Sequence, residues 1–469
     1  MYLPKIIETI SKRLQKHNAK AIIVGGSVRD HFLKLPIKDY DIEVYGLDNL
    51  GQLETILLKF GSVNLVGKSF GVLKFMHEKE EYDFSFPRLE SKVGKGHRGF
   101  DIETDGSMLF EEAALRRDFT INAMGYDIEE KIFLDPFNAQ EDIDAHLLRH
   151  IDDNSFVEDP LRVYRAVQFC ARFGYALAAE TKKLCLNMVA EGLLEELPKE
   201  RIYKEFVKLL LKSPKPSLGF EEMHELGVLR YFPELEAIID VLQDPKWHPE
   251  GDVWVHTMMT LDAMANICRS GCPLPDNEKQ RLKFMFAILC HDFGKATTTT
   301  IDEDGRIRAI GHEIEGLELT KSFMYRLTSE HDFIESILPL VKHHLKPSQF
   351  YKNGAKNKAI RRLATKVNIE ELVIVAKADF LGRTTKESLE GNYKAGEWLL
   401  EKAKSLKVQS KPLDNLLQGR DLMDLGLEPS PEFKMILDEV YELQMEGNIC
   451  TKEEALNYVK KYIEKQDRK

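Results

Sequence analysis

The chain has 469 residues, which is too many for one ordinary domain. Typical domain sizes give about three to four domains for this length. Its composition, 43% hydrophobic and 30% charged, is that of a soluble globular protein. The net charge of −11 argues against a protein coated in positive charge for nucleic acid. Any contact with nucleic acid must therefore use local clusters of Lys and Arg.

Cysteine usage and hydropathy set an expectation for location. The six cysteines include no CxxC pair and show no metal-finger spacing. Residues 1–20 lack the apolar segment of a signal peptide. The longest apolar run, residues 284–290, is far too short to span a bilayer. We therefore expect a protein of the reducing cytoplasm that does not enter a membrane.

The first motif joins a glycine turn to a pair of aspartates. An apolar strand leads into Gly25 and Gly26, then a short helix, then a second strand with Asp39 and Asp41. Residues two apart in a strand point to the same face. Two carboxylates beside a glycine backbone that can approach a phosphate suit a divalent metal and a nucleotide. An exposed strand edge that carries charges would give the same spacing.

Strand and helix signals alternate as far as residue 145 and then give way to helical patterns. The strand-like runs are residues 21–24, 40–45, 72–76, 82–86 and 132–134. Breaks rich in Pro follow at residues 212–216 and 244–249 and near 404–412. The pattern predicts an α/β head, residues 1–145, and then an all-helical part. We divide that part into a neck or body (146–230), a His-rich middle (231–403) and a C-terminal unit (404–469).

Adjacent arginines follow in the head. Arg116 and Arg117 precede Asp118 at the edge of an apolar segment. Guanidinium groups bind phosphate oxygens through two hydrogen bonds, so paired arginines near a metal site suit a triphosphate. An Arg-Asp surface network is the structural alternative.

A carboxylate and two arginines open the helical part with a spacing of three. Asp159 precedes Pro160, as at a helix start, and the spacing predicts that Asp159, Arg162 and Arg165 share one helical face. Cytosine and adenine both offer an amino donor beside a ring-nitrogen acceptor. A carboxylate that accepts from the amino group, beside an arginine that donates to the ring nitrogen, would take C and A and reject U and G.

A further helix start, residues 198–206, carries Arg201 and Glu205 four residues apart. This spacing predicts a structural salt bridge between the two side chains.

These motifs, in this order, resemble a known family. The glycine turn with DxD, the segments RRDFTINAM (116–124) and EDPLRVYRA (158–166) and KERIYKEF (199–206) are similar to those of the bacterial class II tRNA nucleotidyltransferase and poly(A) polymerase family, and most closely to those of the CCA-adding enzymes. The resemblance covers roughly residues 20–230. It implies a nucleotidyltransferase head of the polymerase-β type.

The resemblance also implies roles for single residues. Asp39 and Asp41 would be catalytic and hold Mg²⁺, with Asp83 as a third carboxylate. The nucleotide-binding residues it implies are Gly26, Arg29, Arg116, Arg117, Asp159, Arg162 and Arg165. Among these, Asp159 and Arg162 would be the protein template for C and A, assisted by Arg165. Residues 88–107 match the position of the mobile loop of such enzymes; an ordinary solvated loop is the alternative.

The middle of the chain carries a second constellation of histidines and aspartates. It comprises His256, His291, Asp292, His312, the pair His343-His344 and Asp379. Imidazole and carboxylate ligands from several helices suit a transition metal with open positions. The arrangement resembles the HD phosphohydrolase domain, and the resemblance implies His256, His291, Asp292 and Asp379 as ligands. It implies His312 and either His343 or His344 as ligands of a second metal.

Two C-terminal features remain. Residues 342–366 contain eight lysines and arginines and no acidic residue, which favours contact with an RNA backbone over a merely solvated surface. Near the C-terminus, an apolar stripe of Leu422, Leu425, Phe433, Ile436, Leu437 and Val440 predicts the core of a helical pair rather than a partner site.

The resemblance implies template-independent addition of C, C and A to the tRNA 3′ end from CTP and ATP, and it implies metal-dependent phosphatase or phosphodiesterase activity in the HD domain. The alternatives are a poly(A) polymerase or an enzyme that adds only CC or only A. A more distant one is an HD phosphohydrolase whose head merely binds RNA. Whether the protein is a monomer or a homodimer stays open.

Overall fold

The computed structural model describes residues 1–67, 71–92, 100–271 and 277–466. It divides into two compact units, Met1–Tyr231 and Phe232–Lys469. The finer division into four parts stays a prediction.

The first unit begins with a mixed α/β region. Its strands are β1 (Lys20–Val24), β2 (Asp41–Tyr45), β3 (Ser62–Gly67), β4 (Val72–His77), β5 (Glu80–Ser85), β6 (Arg88–Lys92), β7 (Phe100–Thr104), β8 (Gly125–Asp127) and β9 (Ile132–Leu134). Its helices are α1 (Lys5–Gln15), α2 (Gly26–Phe32), α3 (Leu50–Leu57), α4 (Phe110–Ala114) and α5 (Ala139–Asp144).

Seven of these strands form one sheet, in the order β3-β4-β5-β2-β1-β8-β9. Strand β1 lies inside the sheet, and four of its five residues are buried, which explains its unbroken apolar sequence. Strands β2 and β5 are parallel, and Asp41 pairs with Asp83 across them. The sheet therefore brings together two carboxylates that are distant in sequence.

All five predicted strands of the head are present, with ends shifted by two residues or fewer. The prediction that Asp39 lies within the second strand is wrong, because β2 begins at Asp41. The predicted loop at residues 88–107 contains the antiparallel ribbon β6–β7, while residues 93–99 lie outside the described residues.

The rest of the first unit is mostly helical. Its helices are α6 (Asp153–Glu158), α7 (Leu161–Phe173), α8 (Ala179–Ala190), α9 (Lys199–Lys212) and α10 (Ser217–Glu225). Helix α7 packs against both α9 and α10. Its C-terminal cap is Gly174, whose φ of +70° is the left-handed conformation that glycine adopts without strain.

The second unit is a helical body that ends in a small tail. Its helices are α11 (Pro233–Glu236), α12 (Val253–Arg269), α13 (Glu278–Cys290), α14 (Lys295–Thr298), α15 (His312–Leu327), α16 (His331–His343), α17 (Lys346–Asn353), α18 (Asn357–Ala364), α19 (Ile369–Leu381), α20 (Lys386–Leu389), α21 (Lys394–Ser405), α22 (Gly419–Asp424), α23 (Pro431–Glu446) and α24 (Lys452–Gln466). Helix α13 lies among α12, α16 and α19, and its residues 284–290 are all buried.

The prediction that no strand follows residue 146 is wrong in detail. Strands β10 (Leu147–Leu148) and β11 (Ala176–Leu177) form a parallel pair, and β12 (Thr299–Ile301) and β13 (Ile307–Ala309) form a hairpin. Strands of two or three residues are too short to show a period of two in the sequence.

The tail has a hydrophobic core of its own. Leu422, Ile436 and Val440 are buried there, and the other three residues of the predicted stripe pack against them. The stripe is therefore core, as predicted. Among the described residues, no helix is long and apolar enough to cross a membrane.

Candidate nucleotide and metal sites

The turn between β1 and α2 brings backbone close to an arginine. Gly25 has a φ of +68°, and a Cβ atom there would lie 2.9 Å from Nη1 of Arg117. Glycine is the residue that meets both conditions, a left-handed backbone and close approach. The turn therefore presents bare backbone where Arg117 approaches.

Three carboxylates lie near each other at one end of β2. Burial raises the pKa of Asp41, and the charges of Asp83 and Asp39 raise it further, while Arg117 opposes them. Burial likewise raises the pKa of Asp83, against the opposing charge of Lys74. Mutual repulsion of this kind is relieved by a bound cation.

The chemistry of these carboxylates fits Mg²⁺, which prefers oxygen ligands. Oδ1 of Asp83 is buried without a hydrogen-bond partner. The three side chains are nevertheless less tightly clustered than the ligands of the second unit. The described residues offer groups of three ligand atoms within 4.8 Å of one another only in that unit.

Beside the carboxylates, the first unit contains a cavity of about 510 Å³. All seven residues predicted to bind the nucleotide line it: Gly26, Arg29, Arg116, Arg117, Asp159, Arg162 and Arg165. Asp39 and Asp41 are not among its lining residues, but Glu43 of the same strand is, and Arg117 lies 2.7 Å from Glu43. The cavity is lined by more basic than acidic side chains, as a triphosphate requires.

A buried polar network fixes two of the arginines. Nη1 of Arg29 donates to Asn122 at 2.6 Å, and Asn122 in turn donates to Asp118 at 2.9 Å. Nε of Arg165 donates to the same Asp118 at 2.6 Å. Burial alone would raise the pKa of Asp118, but the charge of Arg165 and the hydrogen bond from Asn122 hold that pKa below its usual value. Asp118 is thus the anion that orients Arg165 over the cavity.

The predicted base-reading pair is held by partners that the sequence did not indicate. Asp159 precedes α7 rather than lying on it, and it accepts from Nη2 of Arg201 at 2.9 Å. Arg162 donates to Ser155 and, at 2.6 Å, to the backbone oxygen of Arg116. The prediction of one shared helical face is therefore wrong for Asp159, yet both side chains line the same cavity.

The predicted Arg201–Glu205 salt bridge is wrong. Arg201 bonds to Asp159, and Glu205 bonds instead to Lys208 at 2.7 Å. The spacing of Arg201, Lys208 and Lys212 puts all three on one face of α9. This shared basic face was a better indication of the role of Arg201 than its i,i+4 spacing to Glu205. All three line the cavity, as does Arg172 of α7, and our sequence reasoning had assigned none of them to it.

The second unit brings the histidines and aspartates together. They form two groups of closely spaced ligand atoms, His256-His291-Asp379 and Asp292-His312-His344. Of the two histidines at positions 343 and 344, His344 belongs to one of these groups and His343 does not.

Each of these histidines uses Nδ1 for a hydrogen bond and leaves Nε2 for the centre. Nδ1 of His291, His312 and His344 lies 2.6 to 2.7 Å from the carbonyl oxygen three residues earlier. Nδ1 of His256 lies 2.8 Å from Glu250. Such bonds fix the tautomer in which Nε2 carries a lone pair for a metal.

The carboxylate of Asp292 lies between the two groups. Its Oδ2 is 3.1 Å from Nε2 of His291, and its Oδ1 is 3.2 Å from Nε2 of His312. Burial alone would raise the pKa of Asp292, but His291 and Lys295 hold it well below the usual range. Neither oxygen of Asp292 has a hydrogen bond of good geometry, and Nε2 of His291 has none either. Nζ of Lys295 forms an ion pair with Oδ2 of Asp292 at 2.7 Å. Buried polar atoms in this state fit a bound cation.

A cavity of about 250 Å³ opens onto this centre. Lys295, Arg308 and Arg383 line it together with ligands of both groups. The cavity thus combines candidate metal ligands with cations that can bind a phosphate.

The basic segment 342–366 is less open than its sequence indicates. Arg362 lies 2.6 Å from Glu442, Lys358 pairs with Glu446, and Arg361 donates to the backbone of Met445. All three partners belong to α23 of the tail. Part of the predicted RNA patch is therefore used to hold the tail, and RNA contact by the other lysines stays a prediction.

Comparison with known proteins relates each region to a described domain. Residues 21–149 match the poly(A) polymerase head domain. Residues 174–239 match the domain described as the probable RNA and SrmB-binding site of polymerase A, and residues 253–383 match the HD domain.

Whole-chain relatives agree with this assignment. A multifunctional CCA protein of Neisseria gonorrhoeae is 38% identical over 325 residues, which cover 69% of this chain and 73% of that protein. One from Pseudoalteromonas atlantica is 34% identical over 373 residues, covering 77% and 85%. A solved CCA-adding enzyme in its apo form superposes with a TM-score of 0.66 at 20% identity, covering 98% of this chain and 96% of that one. The chain belongs to the family of CCA-adding tRNA nucleotidyltransferases and poly(A) polymerases, in the form that carries an HD domain.

Proposed function

We propose that the first unit adds C, C and A, without a nucleic-acid template, to the 3′ end of tRNA in the cytoplasm. The terminal 3′ oxygen forms a bond to the α-phosphorus of CTP or ATP, and the bond to pyrophosphate breaks in line with it. The observation that carries the proposal is the single cavity lined by all seven predicted nucleotide contacts. Solved CCA-adding enzymes of this fold in complex with CTP, ATP and tRNA support the choice of partners.

Within this proposal each group has one task. Arg116 and Arg117 bind phosphate oxygens, and Asp159 with Arg162 selects the base edge shared by C and A. Mg²⁺ bound by Asp39 and Asp41 would activate the attacking hydroxyl and neutralise the leaving pyrophosphate. The pairing of Asp41 with Asp83 across β2 and β5 supports Asp83 as a third ligand.

The Asp41→Ala variant tests the assignment. We expect it to abolish nucleotide incorporation, because one of the proposed metal-binding carboxylates is lost, while tRNA binding stays nearly intact. Radiolabelled nucleotide incorporation and a filter-binding assay with tRNA measure the two properties. Incorporation that persists in Asp41→Ala would refute the catalytic site.

A second activity is favoured by the four inward-facing Nε2 atoms of the second unit. We propose that this unit binds divalent transition metal ions and hydrolyses phosphate esters. Metal ions there would lower the pKa of a bound water and hold the phosphate. Chelation and the His291→Ala substitution should each abolish phosphate release, whereas His343→Ala, outside both ligand groups, should retain it. Hydrolysis that survives both chelation and His291→Ala would contradict the proposal.

A further inference from the structure

The carboxylate of Glu250 is fully buried beside the HD centre, and neither the sequence motifs nor the domain matches assign it a role. It lies just before α12, in the segment that also carries His248. One of its oxygens, Oε1, is 2.8 Å from Nδ1 of His256 and 2.9 Å from Nδ1 of His248. Two imidazole N–H groups can thus share a single carboxylate oxygen.

The other oxygen of Glu250 reaches the end of α19. Oε2 accepts from the backbone N–H of Thr384 at 3.2 Å. The preceding residue, Arg383, donates to both oxygens of Asp379 at 2.9 and 3.0 Å. Glu250 therefore contacts one member of the first ligand group directly and is linked to a second through two residues.

The second ligand group has a different kind of support. Nδ1 of His312 and of His344 bonds to backbone carbonyls rather than to a carboxylate. On the Nδ1 side of His312, the carboxylate of Glu313 lies 3.9 Å away, too far for a hydrogen bond. The two groups thus differ in whether an anion supports a ligand histidine.

We infer that Glu250 is a positioning residue that sets the metal affinity of the group His256-His291-Asp379, and not that of the group Asp292-His312-His344. A carboxylate that accepts from Nδ1 fixes the ring and makes Nε2 a more basic ligand. This inference rests on the proposed metal site of the second unit. Glu250 also forms a group of closely spaced ligand atoms with His248 and His256. We assign it to positioning because it meets His256 at Nδ1, whereas Nε2 of the same ring faces Asp379 in the ligand group.

The test is Co²⁺ titration of the full chain, followed by calorimetry and by the visible absorption of bound Co²⁺. All samples carry Asp39→Asn and Asp41→Asn, so that the first unit does not compete for the metal. Two equivalents are expected without further substitution. Glu250→Gln should weaken one equivalent by roughly ten- to hundredfold and change its absorption band, and leave the other unchanged.

Matched variants separate this effect from others. Glu313→Gln removes a charge beside His312 without breaking a hydrogen bond and should change neither equivalent. His344→Ala should weaken the equivalent that Glu250→Gln leaves intact. Glu250→Gln in the otherwise native chain should keep full nucleotide addition and unfold in a cooperative thermal transition, which excludes misfolding as the cause.

Three results would overturn the inference. If Glu250→Gln left both Co²⁺ affinities unchanged, the inference would fall while the proposed metal site would stand. A third bound Co²⁺ equivalent that Glu250→Gln removes would have the same consequence, because Glu250 would then be a ligand. A chain with native Glu250 that takes up no Co²⁺ would overturn the proposed metal site, and the inference with it.

Discussion

At the scale of single residues, both side chains proposed to select the base, Asp159 and Arg162, already have hydrogen-bonding partners within the protein. Arg201 neutralises Asp159, and Arg162 is anchored by the backbone of Arg116 and by Ser155. Side chains held in this way lose little conformational entropy when a base binds. Arg201 also leaves one carboxylate oxygen of Asp159 to bond the N–H of Leu161, so a base must compete for it.

This arrangement predicts the effect of Asp159→Ala. A hydrogen bond to a charged group contributes about 1.5–3 kcal/mol, so kcat/KM for CTP and ATP should fall roughly ten- to hundredfold. Use of UTP and GTP, whose bases present a carbonyl beside a ring N–H on the corresponding edge, should fall less. Single-nucleotide incorporation rates with each triphosphate measure the discrimination.

Asp153→Ala is the matched control, since that carboxylate is 79% exposed, pairs with His150 and is not among the lining residues of the cavity. It should leave all four rates unchanged. An unchanged preference for CTP and ATP in Asp159→Ala would show that another group selects the base.

Residue types and spacing predicted which side chains meet, but not which atoms pair. That the seven residues predicted to bind the nucleotide would line one cavity was predictable, because four ordered motifs identify them together. The partner of Arg201 was not, since an i,i+4 spacing with Glu205 looks the same whether or not a third carboxylate, Asp159, competes. Likewise, only the positions of α15 and α16 decide between His343 and His344.

At the scale of elements, the turn between β1 and α2 joins local backbone chemistry to the site. Gly25 and Gly174 have nearly the same positive φ, +68° and +70°. A Cβ atom at Gly174 would meet nothing within 4 Å, whereas at Gly25 it would press on Arg117. Substitutions at these two glycines can therefore distinguish the effect of crowding Arg117, expected only at Gly25, from the effect of backbone strain, expected at both.

We expect Gly174→Ala to destabilise the fold by about 1–2 kcal/mol, because its backbone is left-handed. Gly25→Ala should destabilise it more, because a ψ of −129° at positive φ lies outside the left-handed helical region that other residues can adopt. Only Gly25→Ala should also raise the KM for CTP and ATP, through displacement of Arg117. Urea unfolding and steady-state kinetics measure the two effects. An equal rise in KM for Gly174→Ala would assign the loss to strain rather than to the arginine.

The elements themselves were predictable where the local sequence has a clear apolar or alternating pattern, as in the three-residue β9. The helices of the second unit and the five predicted strands of the head can be recognised from the periodicity of their apolar residues. The strands that were missed, such as β8 and β10, have three residues or fewer or, like β3, a mixed polar sequence. Their pairing depends on neighbouring strands that no local pattern specifies.

At the scale of the whole molecule, the chain has two compact units, each with a cavity and ionisable side chains of its own. The negative net charge is consistent with a basic cavity lining and with a basic segment that is partly covered by the acidic α23. Local chemistry rather than overall charge therefore decides what each unit binds.

The most direct test of the proposed nucleotide addition is to sequence the product ends of a tRNA that lacks its 3′ CCA. The tRNA is incubated with CTP alone, ATP alone, both together and all four triphosphates, with Asp41→Ala as the inactive control. We expect addition to stop after CC with CTP alone and to end at CCA whenever both are present. Tails of repeated A, product ends that never extend beyond CC, or addition of U or G would contradict the proposed CCA addition.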